Sequence, residues 1–294
     1  MSFCFNFPNP EADNENKYEK TCSISTEKES PDQDEEEIPA IEMKLDWKHL
    51  TPCKNPNTIA YDFNETSTLV SISPKHLETI LKENSENSEI TPLKEALQNQ
   101  CDLIPNKYEG GLQIWECSID LTKYISNQML SGSSVAEIGC GAGLPGLCAL
   151  KKGASTVLFQ DFNSEVLTKL TLPNILLNCY EERERCYLFS GDWGSLPQAV
   201  NHSTISLQKF DIILTAETIY NTKNYQKLIN IFDFLLKENG YILIAAKNYY
   251  FGVGGGTRQF EESLKEDGRF TSSVCWTKAD GLSREIICAQ RKKT

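Results

Sequence analysis

No apolar run in this 294-residue chain approaches the about eighteen residues that a membrane helix needs. None of its eleven cysteines forms a Cys-x-x-Cys pair, and no histidine–cysteine cluster has zinc spacing, so no metal is expected. Several thiols, Cys148 and Cys288 among them, sit in apolar runs where they act as small hydrophobes. With no signal peptide either, the expectation is a reduced, intracellular protein. Positive charge is also in deficit: 29 Lys and Arg face 41 Asp and Glu, a net charge of −12. Such a surface does not suit nucleic acid or an anionic membrane, and it suits a basic protein partner. Internal repeats are lacking.

The charge is uneven. Residues 1–55 hold thirteen acids and six lysines, a net of −7. "PDQDEEEIP" cannot bury enough surface to offset the entropy of ordering, so residues 1–56 are expected to form an acidic, largely disordered leader. Its first seven residues, "MSFCFNF", alternate phenylalanine with small or polar residues and could dock as a short strand. Residues 57–107 read as an extension with two β-like pieces, "NTIAYDFN" and "STLVSIS", and short helices over 74–82 and 92–98 led by proline.

From residue 108 onward strands alternate with helices. "SVAEIGC", "TVLFQDF", "CYLFSGDW", "FDIILTAETIY" and "YILIAAKNYYF" read as strands. "LQIWECSIDLTKYISNQM", "LPGLCALKKG", "SEVLTKLTLPNILLNCYEE", "NYQKLINIFDFLLKENG" and "RQFEESLKEDG" read as helices, the fourth with glycine at its end. "FTSSVCWTKA" and "SREIICAQR" close the chain as an antiparallel hairpin. The pattern predicts an α/β domain over 108–294, a Rossmann-like, mostly parallel sheet covered on both faces.

Gly141-Ala142-Gly143-Leu144-Pro145-Gly146 matches G-x-G-x-x-G, which alone could hold a dinucleotide. The same run also reads Glu137-x-Gly139-x-Gly141-x-Gly143, the form expected for S-adenosylmethionine (SAM) enzymes. A pyrophosphate needs bare amides at a helix N-terminus. SAM instead carries a sulfonium, an ammonium and a carboxylate, and glycines let backbone pass close to it. Glu137 would orient that loop or meet the ammonium through water. Asp161 ends the second strand, where it would bond ribose hydroxyls of either cofactor. Asp192 ends the third, placed for the adenine amino group with Trp193 or Phe162 against the ring. Glu217 and Tyr220 fall on the pocket rim, and "GVGGG" follows the fifth strand on the methyl-transfer side.

"YEGGLQIWECSIDL", "FQDFN", "SGDW", "ETIYN" and "YYFGVGGG" together resemble the protein-histidine methyltransferase family, as does the opening "MSFCFNF". The resemblance implies a seven-strand SAM-dependent methyltransferase, with S-adenosylhomocysteine as product. Its substrate would be one histidine of a large-subunit ribosomal protein, methylated on the nitrogen distal to the stem. It puts the cofactor contacts on Ile114, Trp115, Glu116, Cys117, Ser118, Gly139, Gln160, Asp161, Phe162, Gly191, Asp192, Trp193 and Ala216. Serine is expected at that last position, and alanine leaves a backbone contact alone. Trp115 would lie by the methionine end, with Glu116 meeting the ammonium or bonding the loop. A monomer in the cytoplasm and nucleus, nucleolus included, is the accompanying expectation.

A neutral imidazole needs little help before attack, but its tautomer must be fixed by an acceptor for the other N–H. Glu217, Tyr220 and Asn248 are the candidates. The Glu-x-x-Tyr element is shared with protein-lysine methyltransferases, so a lysine substrate stays open. The motifs also leave room for a non-catalytic ribosome-assembly module and for an NAD oxidoreductase.

Overall fold

A computed structural model describes residues 38–54, 56–64, 67–73, 75–77, 79, 91–99, 101–203, 209–279 and 281–293. The docked "MSFCFNF" strand and most of the leader therefore lie outside the described residues, as does most of the helix expected over 74–82.

Among the described residues the central sheet has eight strands in the order β1-β6-β5-β4-β7-β8-β10-β9. Its parallel heart is β6 (Cys186–Ser190), β5 (Thr156–Asp161), β4 (Ser134–Ile138), β7 (Phe210–Ala216) and β8 (Leu236–Lys247). These strands are apolar on both faces because helices cover both. Along β4 and its neighbours, Val135, Val157, Phe159 and Leu214 point into one core layer. Ala136, Ile138, Leu158 and Ile213 point into the other. β10 (Arg284–Arg291) pairs antiparallel with both β8 and β9 (Phe270–Lys278), which gives the expected closing hairpin. Among the described residues no helix is long and apolar enough to cross a membrane.

Two additions flank the sheet. Residues 38–54, expected as the end of the leader, run along its edge, and β1 (Ile41–Glu42) pairs antiparallel with β6. β2 (Thr58–Asn64) and β3 (Ser67–Ile72) form a separate hairpin, followed by α1 (Pro92–Asn99).

α2 (Glu116–Ser126), α3 (Leu144–Lys151) and α4 come next. α4 is continuous from Ser164–Val166 through a π-helical turn, Leu167–Thr171, into Leu172–Asn178. Pro173 has no N–H to return to the preceding turn, and the π turn lies just ahead of it. α5 (Leu196–Asn201), α6 (Tyr225–Leu235) and α7 (Thr257–Asp267) complete the cover. Gly268 ends α7 in the left-handed conformation. Gly240 does not end α6. That helix stops at Leu235, and a bulge between the Phe210–Leu236 and Ile212–Tyr241 pairs carries the intervening residues.

Candidate active site

Strand order reverses at β4, with β5 on one side and β7 on the other. Ligands bind such sheets beyond the carboxyl ends at that switch point. A cavity lies there, lined by the loops after β4, β5, β6 and β7 and by residues 106–118.

The loop after β4 takes positive φ at Gly139, Gly141 and Gly143, conformations that side chains disfavour. Its shape is set by three side chains below it. Glu137, buried, accepts the Gly146 N–H at 2.7 Å and so anchors the start of α3. Burial pushes its carboxyl well above the usual range. Asp161 accepts the Gly141 N–H at 2.9 Å with Oδ2 and the Asn163 N–H at 3.1 Å with Oδ1, and burial raises it to about 6. Gln160 accepts from Gly139 N–H at 3.2 Å and Trp193 Nε1 at 2.9 Å, and donates to the Gly191 carbonyl at 2.8 Å. It does not line the cavity; it ties the β4 loop to the β6 loop. Gly143 also turns out to be a packing position, under Phe159 and Thr171, and not a wall of the cavity.

After β6, Asp192 lines the cavity and pairs with Lys227 of α6 at 3.1 Å. Its N–H donates to the Ile38 carbonyl at 3.0 Å, and Ala40 N–H donates to Ser195 Oγ at 2.7 Å. The segment before β1 is thereby strapped across this end, with Ile38 in the wall and Ala40 against Gly191. Gly191, Phe162, Trp193 and Ala216 all line the cavity.

The stretch from Tyr108 to Ser118 forms the opposite wall. Gly110 turns with φ 77°, and Trp115 Nε1 donates to its carbonyl at 3.1 Å. Ile114, Trp115 and Ser118 face the cavity. Glu116 and Cys117 do not, which corrects the reading of five consecutive contacts. Helical neighbours point about 100° apart, so residues three apart share a face and adjacent ones do not. Glu116 reaches Arg284 at 3.4 Å instead, and Cys117 is buried.

Past β7, Glu217 adopts φ 59° and aims its carboxylate inward. Oε2 accepts from the Tyr250 hydroxyl at 2.5 Å, and Oε1 from the Cys117 N–H at 3.4 Å. Tyr220 also lines the cavity, and its hydroxyl donates to Glu109. Asn248 does not: β8 ends at Lys247, the chain turns outward, and Asn248 is exposed with its N–H donated to Ser283 O at 3.0 Å. Glu109, Lys227 and Ile38 are cavity residues that sequence reasoning does not single out. Only for Glu109 is there a local signal, a carboxylate beside a Gly-Gly turn. Among the described residues no group of three or more His, Cys, Asp or Glu is placed to hold a metal.

A family model described as lysine methyltransferase matches residues 102–263. The chain is 46% identical over 197 residues to the histidine protein methyltransferase 1 homolog of Dictyostelium discoideum, covering 66% of this chain and 62% of that protein. It is 32% identical to the Mus musculus homolog, covering 84% and 76%. The match spans 62% of the Bos taurus homolog too, so it takes in less than two thirds of the Dictyostelium and Bos taurus relatives. The SMU.776 structure, solved with S-adenosylhomocysteine, shares the fold at a TM-score of 0.51 and 13% identity, covering 82% of this chain and 58% of that one. A sheet of this order, this switch-point cavity and these matches lead to one conclusion: the chain belongs to the histidine protein methyltransferase 1 family.

Proposed function

We propose that the chain is a SAM-dependent protein-histidine N-methyltransferase. Its target would be the distal nitrogen of a histidine in a basic large-subunit ribosomal protein. The observation that carries this reading is the 32% identity to a curated histidine protein methyltransferase homolog across 84% of the chain. The description of the family model favours lysine as a second reading.

SAM is the cofactor, and when bound it supplies an electrophilic methyl on a sulfonium. The residues present fit it. Asp161 would accept from the ribose hydroxyls and Asp192 from the adenine amino group, each at the carboxyl end of its strand. Ile114 and Trp115 offer apolar wall, and the β4 loop presents backbone without side chains. Glu137 acts indirectly, because its carboxylate is committed to Gly146.

A neutral imidazole suits the reaction: its pKa of about 6.5 leaves most of it unprotonated at pH 7. A lysine must first lose a proton at a pKa of about 10.4. The chain's task is then placement, which supplies much of the acceleration when the attacking atom is held in line. The net charge of −12 would draw a basic protein. Cytoplasm and nucleus, where ribosomal proteins are made and assembled, are the compartments proposed. Labelled SAM with a ribosomal-protein extract, followed by mass spectrometry of the labelled residue, tests the reading. Label on N-methylhistidine is expected; label on lysine alone would overturn it.

A further inference from the structure

We propose that Glu109, held by Tyr220, is the catalytic acceptor for the non-attacking N–H of the target imidazole. This rests on the histidine reading above.

The turn that carries Glu109 is fastened to the cavity. Ile104 and Tyr108 bridge through paired backbone hydrogen bonds of 2.8 and 2.9 Å, and Asn106 takes φ 61° between them. Asn163, two residues past Asp161, accepts the Glu109 N–H at 3.2 Å and donates to the Lys107 carbonyl at 2.7 Å. Both ends of the turn thus hang on one side chain at the mouth of β5. From the far side, the Tyr220 hydroxyl donates to Glu109 Oε2. Tyr220 packs edge-on against Tyr250, at 6.3 Å between ring centres, so its own position is fixed.

Of the other four carboxylates of the cavity, Glu137 and Glu217 are held by the protein itself, and Asp161 and Asp192 are assigned above to the ribose and the adenine of the cofactor. Glu137 holds Gly146, and Asp161 holds Gly141 and Asn163 with separate oxygens. Asp192 binds Lys227 with both oxygens, and Glu217 receives Tyr250 on one and Cys117 N–H on the other. Glu109 takes the Tyr220 hydroxyl and the Asn106 N–H, and because a carboxylate offers about four lone-pair sites, room is left for an imidazole N–H. The charged groups facing it are Asp161 from β5 and Asp192 from β6, the latter with Lys227 of α6 beside it. Burial first, and then Asp161 and Asp192, push its carboxyl up to about 7, against the Asn106 amide that lowers it. That lies close to the imidazole value of about 6.5, where proton transfer is best matched.

The step balances. The ring nitrogen forms the N–CH3 bond with its lone pair while the C–S bond breaks, its pair staying on sulfur as a neutral thioether. The positive charge passes to the ring, the other N–H gives its proton to the Glu109 carboxylate, and the resulting acid releases that proton to solvent.

The test uses the full chain, tritiated SAM and protein stripped from large ribosomal subunits, with methylhistidine counted after hydrolysis. Calorimetry with S-adenosylhomocysteine runs in parallel. Glu109→Gln is expected to cut kcat by roughly a hundredfold, with S-adenosylhomocysteine affinity unchanged within about twofold and partial recovery in Glu109→Asp. On the acid side, log kcat/KM should rise with a slope approaching two in the wild type, from Glu109 and the imidazole together, and a slope of one in Glu109→Gln. A rate within about threefold of wild type, an unchanged slope, or product affinity that falls in step with the rate would each overturn the role. Should Glu109→Gln not fold, Tyr220→Phe decides: losing that donor moves the acid limb to higher pH, and a limb left in place overturns the proposal. Wild-type methylhistidine with an indifferent Glu109→Gln sinks Glu109 alone. A wild type that makes only methyllysine sinks the histidine reading and the proposal with it.

Discussion

At the scale of single residues, the "GVGGG" run is a place of close approach. A Cβ on Gly255 would stand 2.3 Å from the Ile219 carbonyl and 2.4 Å from that of Tyr220, both backbone. One on Gly254 would meet nothing within 4 Å, although φ there is +85°. Gly255→Ala should therefore cost about 3 kcal/mol or more, as overpacking does. Gly254→Ala should cost about 1–2 kcal/mol from backbone conformation alone. Urea denaturation ranks them, and equal losses would refute the close-approach account. Glu109 gives a pH prediction. Its carboxyl rises from an ordinary 4.5 to about 7, so the folded state holds that proton more tightly than the unfolded chain. Stability from this group is present below pH 4.5 and is lost as pH climbs through 7. Glu109→Gln, neutral throughout, should melt higher than wild type at pH 8 and alongside it at pH 4. Melts that differ equally at both values would speak against it.

Among the elements, the hairpin of β2 and β3 is sewn to α4 by two asparagines one helical turn apart. Asn178 accepts from Val70 N–H at 2.8 Å and donates to Val70 O at 2.7 Å; Asn174 accepts from Ile72 N–H at 2.8 Å. Asn174 also donates to the Ala142 carbonyl at 2.9 Å, within the loop after β4. Asn174→Ala strands buried partners at a cost of about 1–3 kcal/mol. It should also loosen that loop, so product affinity is expected to fall, and calorimetry reads it. The strap from Ile38 to Glu42 makes a parallel case: deleting these residues should weaken product binding without lowering the melting temperature by more than a few degrees. Local patterns carried the five parallel strands, the helices packed beside them and the closing hairpin, but neither β1 nor the short α5 (Leu196–Asn201) was read from the sequence. They missed what depends on distant contacts. The end of α6 is decided by a bulge against β7, and Glu109 matters only because Tyr220, 111 positions later, reaches it. Within the site, the strand-end acids were legible, since topology alone puts them there. The sorting of Glu116 and Cys117 from Trp115 and Ser118 required the helix to be placed. Asn248 read as a strand-end residue, and the early end of β8 removed it.

Over the whole molecule, charge is the first consideration. Residues 1–37 hold eleven acids and three lysines, a net of −8 out of −12. A chain starting at Ile38 should bind a basic protein substrate, as proposed above, with a slower on-rate and a flatter dependence on salt. Stopped-flow at low and physiological ionic strength measures both. Identical rates for the two chains would exclude steering by the leader. The order of strands has a different consequence, for synthesis. β10 lies between β8 and β9 although it follows both in sequence. While the ribosome is still making residues 284–291, β9 has no neighbour in the sheet and β8 has an open edge, with Leu243 and Ile244 awaiting Cys288 and Ile287. β10, which emerges after both its neighbours, is thus a keystone, and a chain stopped after Lys278 presents two unpaired edges at once, the condition under which nascent sheets aggregate.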